Sequence, residues 1–275
     1  IQAKPKRDPG KRGNVKYQEW LQQKEFNPFL KNVWLLMAKA EYQSLDYTRA
    51  ISTFSYITRL YRNDPEVVAE ANLWIAKAYT QMGWFYEADN VFHQIELTGG
   101  VPKSLRKEFA EIYADYLVRD KQFEKAVPYL EEAIKNAGGL QAIRLKYLLG
   151  QAYSELGQKN NAYEAFDKVP GLKTPYQYAL NARLQQSKFI DPHNSQQKKE
   201  VLSSLDKMTK GSKNEEYLDQ VYYAIGNVHL VSNDTANAVK NYTLAVEKST
   251  RNGYDKAVVG VALGDIYFAQ KEYVK

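Results

Sequence analysis

Between residues 69 and 95, apolar and polar positions recur at helical spacing in two successive runs that meet at Gly83. Small residues (Ala76, Ala88) and large ones (Tyr79, Phe85, Phe92) share the inner stripes of two amphipathic helices. The pattern then returns along the chain. An alanine near the start of the second helix stands at Ala50, Ala88, Ala126, Ala162 and Ala238, in steps of 38, 38, 36 and 76. The last step is a double period, so it hides a degenerate unit between about 175 and 213. Its first helix is expected at Tyr176–Ser187. Its second starts at a Ser195 cap and buries Val201, Leu205 and Met208, after a lengthened loop Phe189–Asn194. Asn27-Pro28, Asp64-Pro65 and Thr174-Pro175 each offer an N-cap followed by proline in the first turn. Asp46 offers a cap for a second helix whose inner stripe is Ala50, Phe54, Ile57 and Leu60.

A fixed period of this length, filled by helix–turn–helix units, marks a solenoid. Ala76, Tyr79, Gly83, Phe85, Ala88, Phe92 and Ile95 fall on the signature positions of the tetratricopeptide repeat, which the chain resembles from Asn27 onward apart from the degenerate unit. Leu149, Gly150, Tyr153, Gly157, Ala162, Phe166 and Val169 repeat that assignment. Ile225, Gly226, Ala238, Tyr242 and Ala245 do so again, with His229 where an aromatic is usual. Ala114, Phe123, Ala126 and Ala133 keep it with Lys121 at the turn glycine, and Ala38, Ala50 and Phe54 keep it with Leu45 there. The resemblance implies an all-α, right-handed α-solenoid of about seven units. They lie near 27–64, 65–102, 103–139, 140–173, 174–213 (degenerate), 214–251 and 253–275 (partial), behind a basic arm at 1–24. Gly264, Tyr267 and Tyr273 open the seventh unit, and further repeats are expected in a longer parent protein. Residues beyond the usual 34 per repeat are expected to lengthen the connections or the second helix. Small first-helix residues let the second helix approach closely, and aromatics fill the layer between repeats.

Composition adds limits. The 275 residues are 44% hydrophobic, enough for a sizeable core. With no cysteine, disulfides, thiolate zinc sites and thiol catalysis are excluded. The formal charge is +6, but residues 1–24 carry seven basic side chains against two acidic ones, leaving the other 251 residues at +1. A nearly neutral body argues against nucleic-acid binding. The arm contains Pro5, Pro9, Gly10 and Gly13 and lacks the apolar content for a core, so it reads as a tether or as an extended arm touching an anionic surface. The apolar-rich run Ala257–Ala269 contains Asp265 and is too short to span a bilayer.

No nucleophile elbow, phosphate loop or dinucleotide fingerprint is present, so no enzyme activity and no cofactor are expected. Gly99-Gly100 and Gly138-Gly139 fit helix C-caps or turns. His93, His193 and His229 do not stand at metal-ligand spacing, so no metal site is expected. His229 reads as a core or groove residue and His193 as part of a turn. Glu131-Glu132 and Glu215-Glu216 are adjacent in sequence and point to different faces, which suits solvated surface better than acid–base chemistry.

A binding surface remains. In tetratricopeptide arrays the first helices line the concave face, and the ligands are peptides or partner proteins. Carried over unit by unit, the groove positions are Leu35, Lys39 and Tyr42; Leu73, Lys77 and Gln81; Glu111, Asp115 and Arg119; Arg144, Tyr147 and Gln151; Tyr223 and Asn227. The carboxylate-clamp subtype of the family is a poor match. Leu35 and Lys39 stand where Lys and Asn are expected, and Glu108 and Ile112 where basic residues are needed.

Some segments go beyond the generic repeat: the basic run from Lys4 to Arg12, Glu25–Leu30, Thr53–Ile57 and Trp84–Ala88. They resemble the large tetratricopeptide lipoproteins of the bacterial cell envelope related to a gliding-motility and type IX secretion component. That resemblance implies an outer-membrane lipoprotein facing the periplasm, lipid-anchored upstream of this segment, that holds an envelope assembly together through a protein or peptide partner. The expected function is a non-enzymatic interaction scaffold; the alternative is an anionic-surface or nucleic-acid binder acting through the basic arm.

Overall fold

The computed structural model describes residues 6–22, 29–97, 99–171, 173–250 and 253–271. Among these, all regular structure is helical. The chain divides into two compact units, Ile1–Asp120 and Lys121–Lys275. The first holds α1 (Val15–Gln22), α2 (Leu30–Gln43), α3 (Tyr47–Leu60), α4 (Pro65–Met82), α5 (Phe85–Leu97) and α6 (Arg106–Arg119). The second holds α7 (Phe123–Asn136), α8 (Gly139–Glu155), α9 (Lys159–Asp167), α10 (Tyr176–Gln186), α11 (Ser195–Met208), α12 (Leu218–Val231), α13 (Thr235–Lys248) and α14 (Tyr254–Ala269). Helices adjacent in sequence pack as antiparallel hairpins, α2 on α3, α4 on α5, α8 on α9 and α12 on α13. This is the tetratricopeptide-type all-α architecture expected from the period.

The packing residues land where the period puts them. Ala50, Ala88, Ala126, Ala162 and Ala238 are fully buried. Phe54, Phe92, Phe166 and Tyr242 are buried four residues further along the same helices. Where the first helix carries glycine, the approach is closest. A Cβ built on Gly150 would lie 2.7 Å from the Phe166 ring, and one on Gly226 would overlap the Tyr242 ring.

A second periodic feature lies in the backbone. Leu45, Gly83, Lys121, Gly157, Asn233 and Lys271 all adopt left-handed φ, between 59° and 75°. They stand in the same 38-residue register as the alanines. In each, the chain must leave one helix and reverse within three residues, which the left-handed conformation permits. Only glycine takes this conformation without steric cost. Leu45→Gly is therefore expected to stabilise the first unit by about 1 kcal/mol. A urea midpoint that falls would show that exposed Leu45 makes contacts outweighing its strained backbone.

Several local expectations are corrected. The segment around 15–22 is a helix and not extended chain, capped by the Asn14 side chain, which accepts from the Tyr17 amide; none of its residues is buried. The Asn27-Pro28 cap lies outside the described residues, and α2 is described from a Phe29 N-cap. Asp46 and Asp64 do cap α3 and α4, accepting from the Arg49 and Val67 amides. Burial alone would raise the Asp64 carboxyl, but hydrogen bonds from Lys31 and Val67 outweigh it and hold it below its ordinary value. Thr174 does not cap α10. Its hydroxyl donates to the Val169 carbonyl, because Pro175 takes the cap position with extended ψ. Asn194 caps α11 by accepting from Gln197, one residue ahead of the expected Ser195. Gly138-Gly139 open α8 and are not a C-cap, with Gly138 extended at the N-cap. The additional residues go chiefly into the first helices α4 and α8, of 18 and 17 residues, and not into second helices.

The degenerate unit departs from the pattern for a visible reason. Gln186 and Ser187 are buried where α10 gives way to a 3-10 turn. Arg183 and Gln186 both donate to Asp167 Oδ1, at 2.7 and 3.0 Å. A polar network that runs from buried Gln186 to the half-exposed Asp167 carboxylate stands here, and the chain continues through extended Ile190 without a left-handed turn.

Candidate functional site

In the first unit, α2, α4 and α6 lie side by side. The residues one period apart, Lys39, Lys77 and Asp115, and Tyr42, Gln81 and Arg119 beside them, come together on their shared face. Trp74 is the centre of this patch. It is buried between Tyr42, in edge contact at 5.2 Å, and Phe54, stacked at 6.0 Å. Its indole N–H donates to Glu108 at 3.0 Å. Two ammonium groups lie over its ring, Lys39 at 4.8 Å and Lys77 at 4.4 Å from the centroid, and Lys77 is also 5.3 Å from the Tyr42 ring. A cation over an aromatic face is held by the ring quadrupole, more strongly where water is partly excluded.

The two lysines are not equivalent. Lys39 Nζ is paired with Glu70 at 2.6 Å. Lys77, half-buried, has neither a hydrogen bond nor an ion pair among the described residues. Burial pushes its pKa below the ordinary lysine value. Glu111, Glu108 and Asp115 pull the other way, and Lys39 adds to the drop. The patch edge is cross-linked. Gln81 donates to Asp115 at 3.0 Å, and Arg119 Nε meets both Asp115 oxygens at 3.1 Å. Burial raises the Tyr42 hydroxyl well above its usual range, so it stays a neutral hydrogen-bonding group at any physiological pH.

In the second unit, Arg144 and Tyr147 come together on α8. Arg144 donates to the Tyr178 hydroxyl at 3.0 Å, and the Tyr147 ring packs edge-on against Phe166 and Tyr178. Burial raises Tyr147, with a hydrogen bond from Gln185 opposing it. Gln151 is exposed at the end of this face. Tyr223 and Asn227 line a recess of about 320 Å³ between α10, α12 and α14, with Gln185, Lys188 and Asp219 on its walls.

Two expected groove residues are corrected. Leu35 and Leu73 are core residues, 7% and 1% exposed. Asn227 lines the recess, and its Oδ1 accepts from the Tyr242 hydroxyl at 2.6 Å, which orients a core ring. Trp74 and Glu108 were not singled out as groove members. The indole at Trp74 appears in sequence as a packing residue, and its polar contact runs to a residue 34 positions away. His229 lies against the Asp234 cap at 2.9 Å, and His193 sits in a turn closed by Asp191.

A comparison with protein families matches residues 143–172 to the tetratricopeptide repeat. No curated protein matches. Among solved structures, pilF of Pseudomonas aeruginosa is similar with a TM-score of 0.53 at 14% identity, over 84% of this chain and 97% of that one. MamA of Desulfovibrio magneticus RS-1 gives 0.43 at 18% identity, over 79% and 94%. A tetratricopeptide repeat protein of Parabacteroides merdae gives 0.42 at 12%, over 90% and 89%. The likeness to pilF shows the fold.

Proposed function

We propose that this chain is a non-enzymatic interaction scaffold that binds a peptide or partner protein along its first-helix faces. The observation that carries this reading is Lys77. Its ammonium is half-buried over Trp74 and Tyr42 with its donors unmet, at a position where a ligand's carbonyl or carboxylate oxygen completes it. Glu70 holds neighbouring Lys39, and Gln81, Asp115 and Arg119 hold one another, so the patch is preorganised for a polar ligand. The segments quoted from the arm to Ala88 support placement in a bacterial envelope assembly, as an outer-membrane lipoprotein facing the periplasm and anchored upstream.

The test is site-specific photo-crosslinking in an envelope fraction. A photoreactive residue at Arg119, on the rim of the patch, is expected to give a discrete protein or peptide adduct. The same residue at exposed Tyr86, on the second helix α5, is expected to give none. Equal labelling from both positions, or none from Arg119, overturns the proposal. Deleting residues 1–24 is expected to leave the Arg119 adduct in place; its salt-sensitive loss would favour the basic arm as the binding element.

A further inference from the structure

A second recess of the Lys121–Lys275 unit lies on the other side of α8. Lys146, Leu149 and Tyr153 follow Arg144, Tyr147 and Gln151 by two positions each, about 200° around a helix of 3.6 residues per turn. They form one wall of a recess of about 350 Å³, and α7 and α9 form the others. Its apolar lining is Ile134, Leu149 and Ala165, the first two half-buried and the last 5% exposed.

The charged lining does not balance. Lys135, Lys146 and Lys168 stand against Glu131 and Glu164, three positive groups against two negative ones. Two of the five are already engaged: Glu131 accepts from the Tyr153 hydroxyl at 3.0 Å, and Lys135 pairs with Glu132 at 3.6 Å. The side chains of Lys146, Lys168 and Glu164 have neither a hydrogen bond nor an ion pair among the described residues. Glu164 and Lys168 stand four positions apart on α9, the spacing of a helical ion pair, and still do not meet. Lys146 is half-buried, so its ammonium has lost part of its water without gaining an acceptor.

We propose that this recess binds a monocarboxylate joined to an aliphatic chain, with the carboxylate between Lys146 and Lys168 and the chain over Ile134, Leu149 and Ala165. An apolar lining with a few placed polar groups, in a volume of about 300–1,000 Å³, is the usual form of a small-ligand site. One negative charge brings the lining to neutrality, and charge-assisted hydrogen bonds supply the acceptor that Lys146 lacks. Glu131 and Glu164 oppose further negative charge, which disfavours a dianion. The site lies away from the first-helix faces and stands whether or not they bind a partner.

Titration of the full chain with octanoate, followed by amide NMR, is the test. Saturable shifts are expected at Ile134, Leu149 and Ala165, and none there with octylammonium or with acetate. Lys146→Gln is expected to weaken octanoate binding about tenfold, a difference of about 1.4 kcal/mol. Lys146→Arg, which keeps the charge, and Lys207→Gln, on α11, are expected to leave it within about threefold. The same titration with N-acetyl-leucyl-leucine separates the two sources of the group, a free aliphatic acid and the C-terminus of a peptide ending in an apolar residue; the tighter binder names the source. Equal shifts with octylammonium would reduce the recess to an apolar dent, and equal shifts with acetate to surface lysines. Either result overturns the proposal, as does unaltered octanoate affinity in Lys146→Gln or the lack of any saturable shift.

Discussion

Gly226→Val is expected to destabilise the second unit by about 3 kcal/mol or more, while Gly264→Ala, one repeat further on, is expected to stabilise it by about 1 kcal/mol. Both glycines occupy the same position of a first helix, 38 residues apart. At Gly226 even a Cβ would overlap the Tyr242 ring, which is fully buried and cannot swing into solvent. Making room means separating α12 from α13 or tilting Tyr242 away from Asn227, whose 2.6 Å hydrogen bond would be lost. Overpacking of this kind costs about 1–3 kcal/mol, and an unmet buried hydroxyl adds about 1 kcal/mol. At Gly264 a Cβ would meet nothing within 4 Å. Only the backbone effect then remains, and glycine in a helix interior is about 1 kcal/mol worse than alanine. Urea unfolding of the two variants separates these cases by sign. A Gly264→Ala variant that loses stability would mean that the open side of α14 is a packed surface in solution.

These two glycines also mark how far the sequence could be read. The period, the buried alanines and the aspartate caps were legible because each is a local rule repeated many times. The left-handed turns at Leu45 and Lys121 were legible only by register, since neither residue type suggests φ near 60°. What could not be read were contacts without a period. The Arg183–Asp167–Gln186 network joins residues 16 and 19 apart through a half-exposed carboxylate, and composition alone does not show that Gln186 in it is buried. The α1 helix was hidden because the surrounding prolines, glycines and charges outweigh its eight residues in any window.

The candidate site shows the same division. Stepping by one period selects Lys39, Lys77 and Asp115, which lie near one another across three helices. It could not separate groove from core at Leu35 and Leu73, because the two stripes of a first helix lie about one residue, or 100°, apart. Nor could it tell paired Lys39 from unpaired Lys77. That difference depends on Glu70, which lies 31 residues from Lys39 and within hydrogen-bond reach of it alone.

Lys77→Met is expected to weaken partner binding at least tenfold, about 1.4 kcal/mol, while leaving the thermal midpoint at or above that of the unsubstituted chain. The two effects have one cause. The folded pKa of Lys77 lies below its ordinary value, so burial costs the ammonium more than Glu111, Glu108 and Asp115 return to it. A lysine with a depressed folded pKa opposes folding in full at any pH below that pKa. The opposition fades as pH rises from there toward the unfolded value of about 10.4. Methionine keeps a flexible apolar stem over Trp74 and Tyr42, with a sulfur–aromatic contact of about 0.3–1.5 kcal/mol, and removes the desolvated charge. The stability gain should therefore be largest near neutral pH and shrink toward pH 10. Thermal melts at pH 7 and pH 10, beside binding of a partner identified by crosslinking, check both halves. Lys39→Met is the contrast: it strands Glu70, whose carboxylate loses its 2.6 Å partner, and is expected to lower stability. If Lys77→Met instead melts lower and binds normally, Lys77 is a structural residue held by its aromatic neighbours, and the binding face must be sought elsewhere, beginning with the recess at Tyr223 and Asn227.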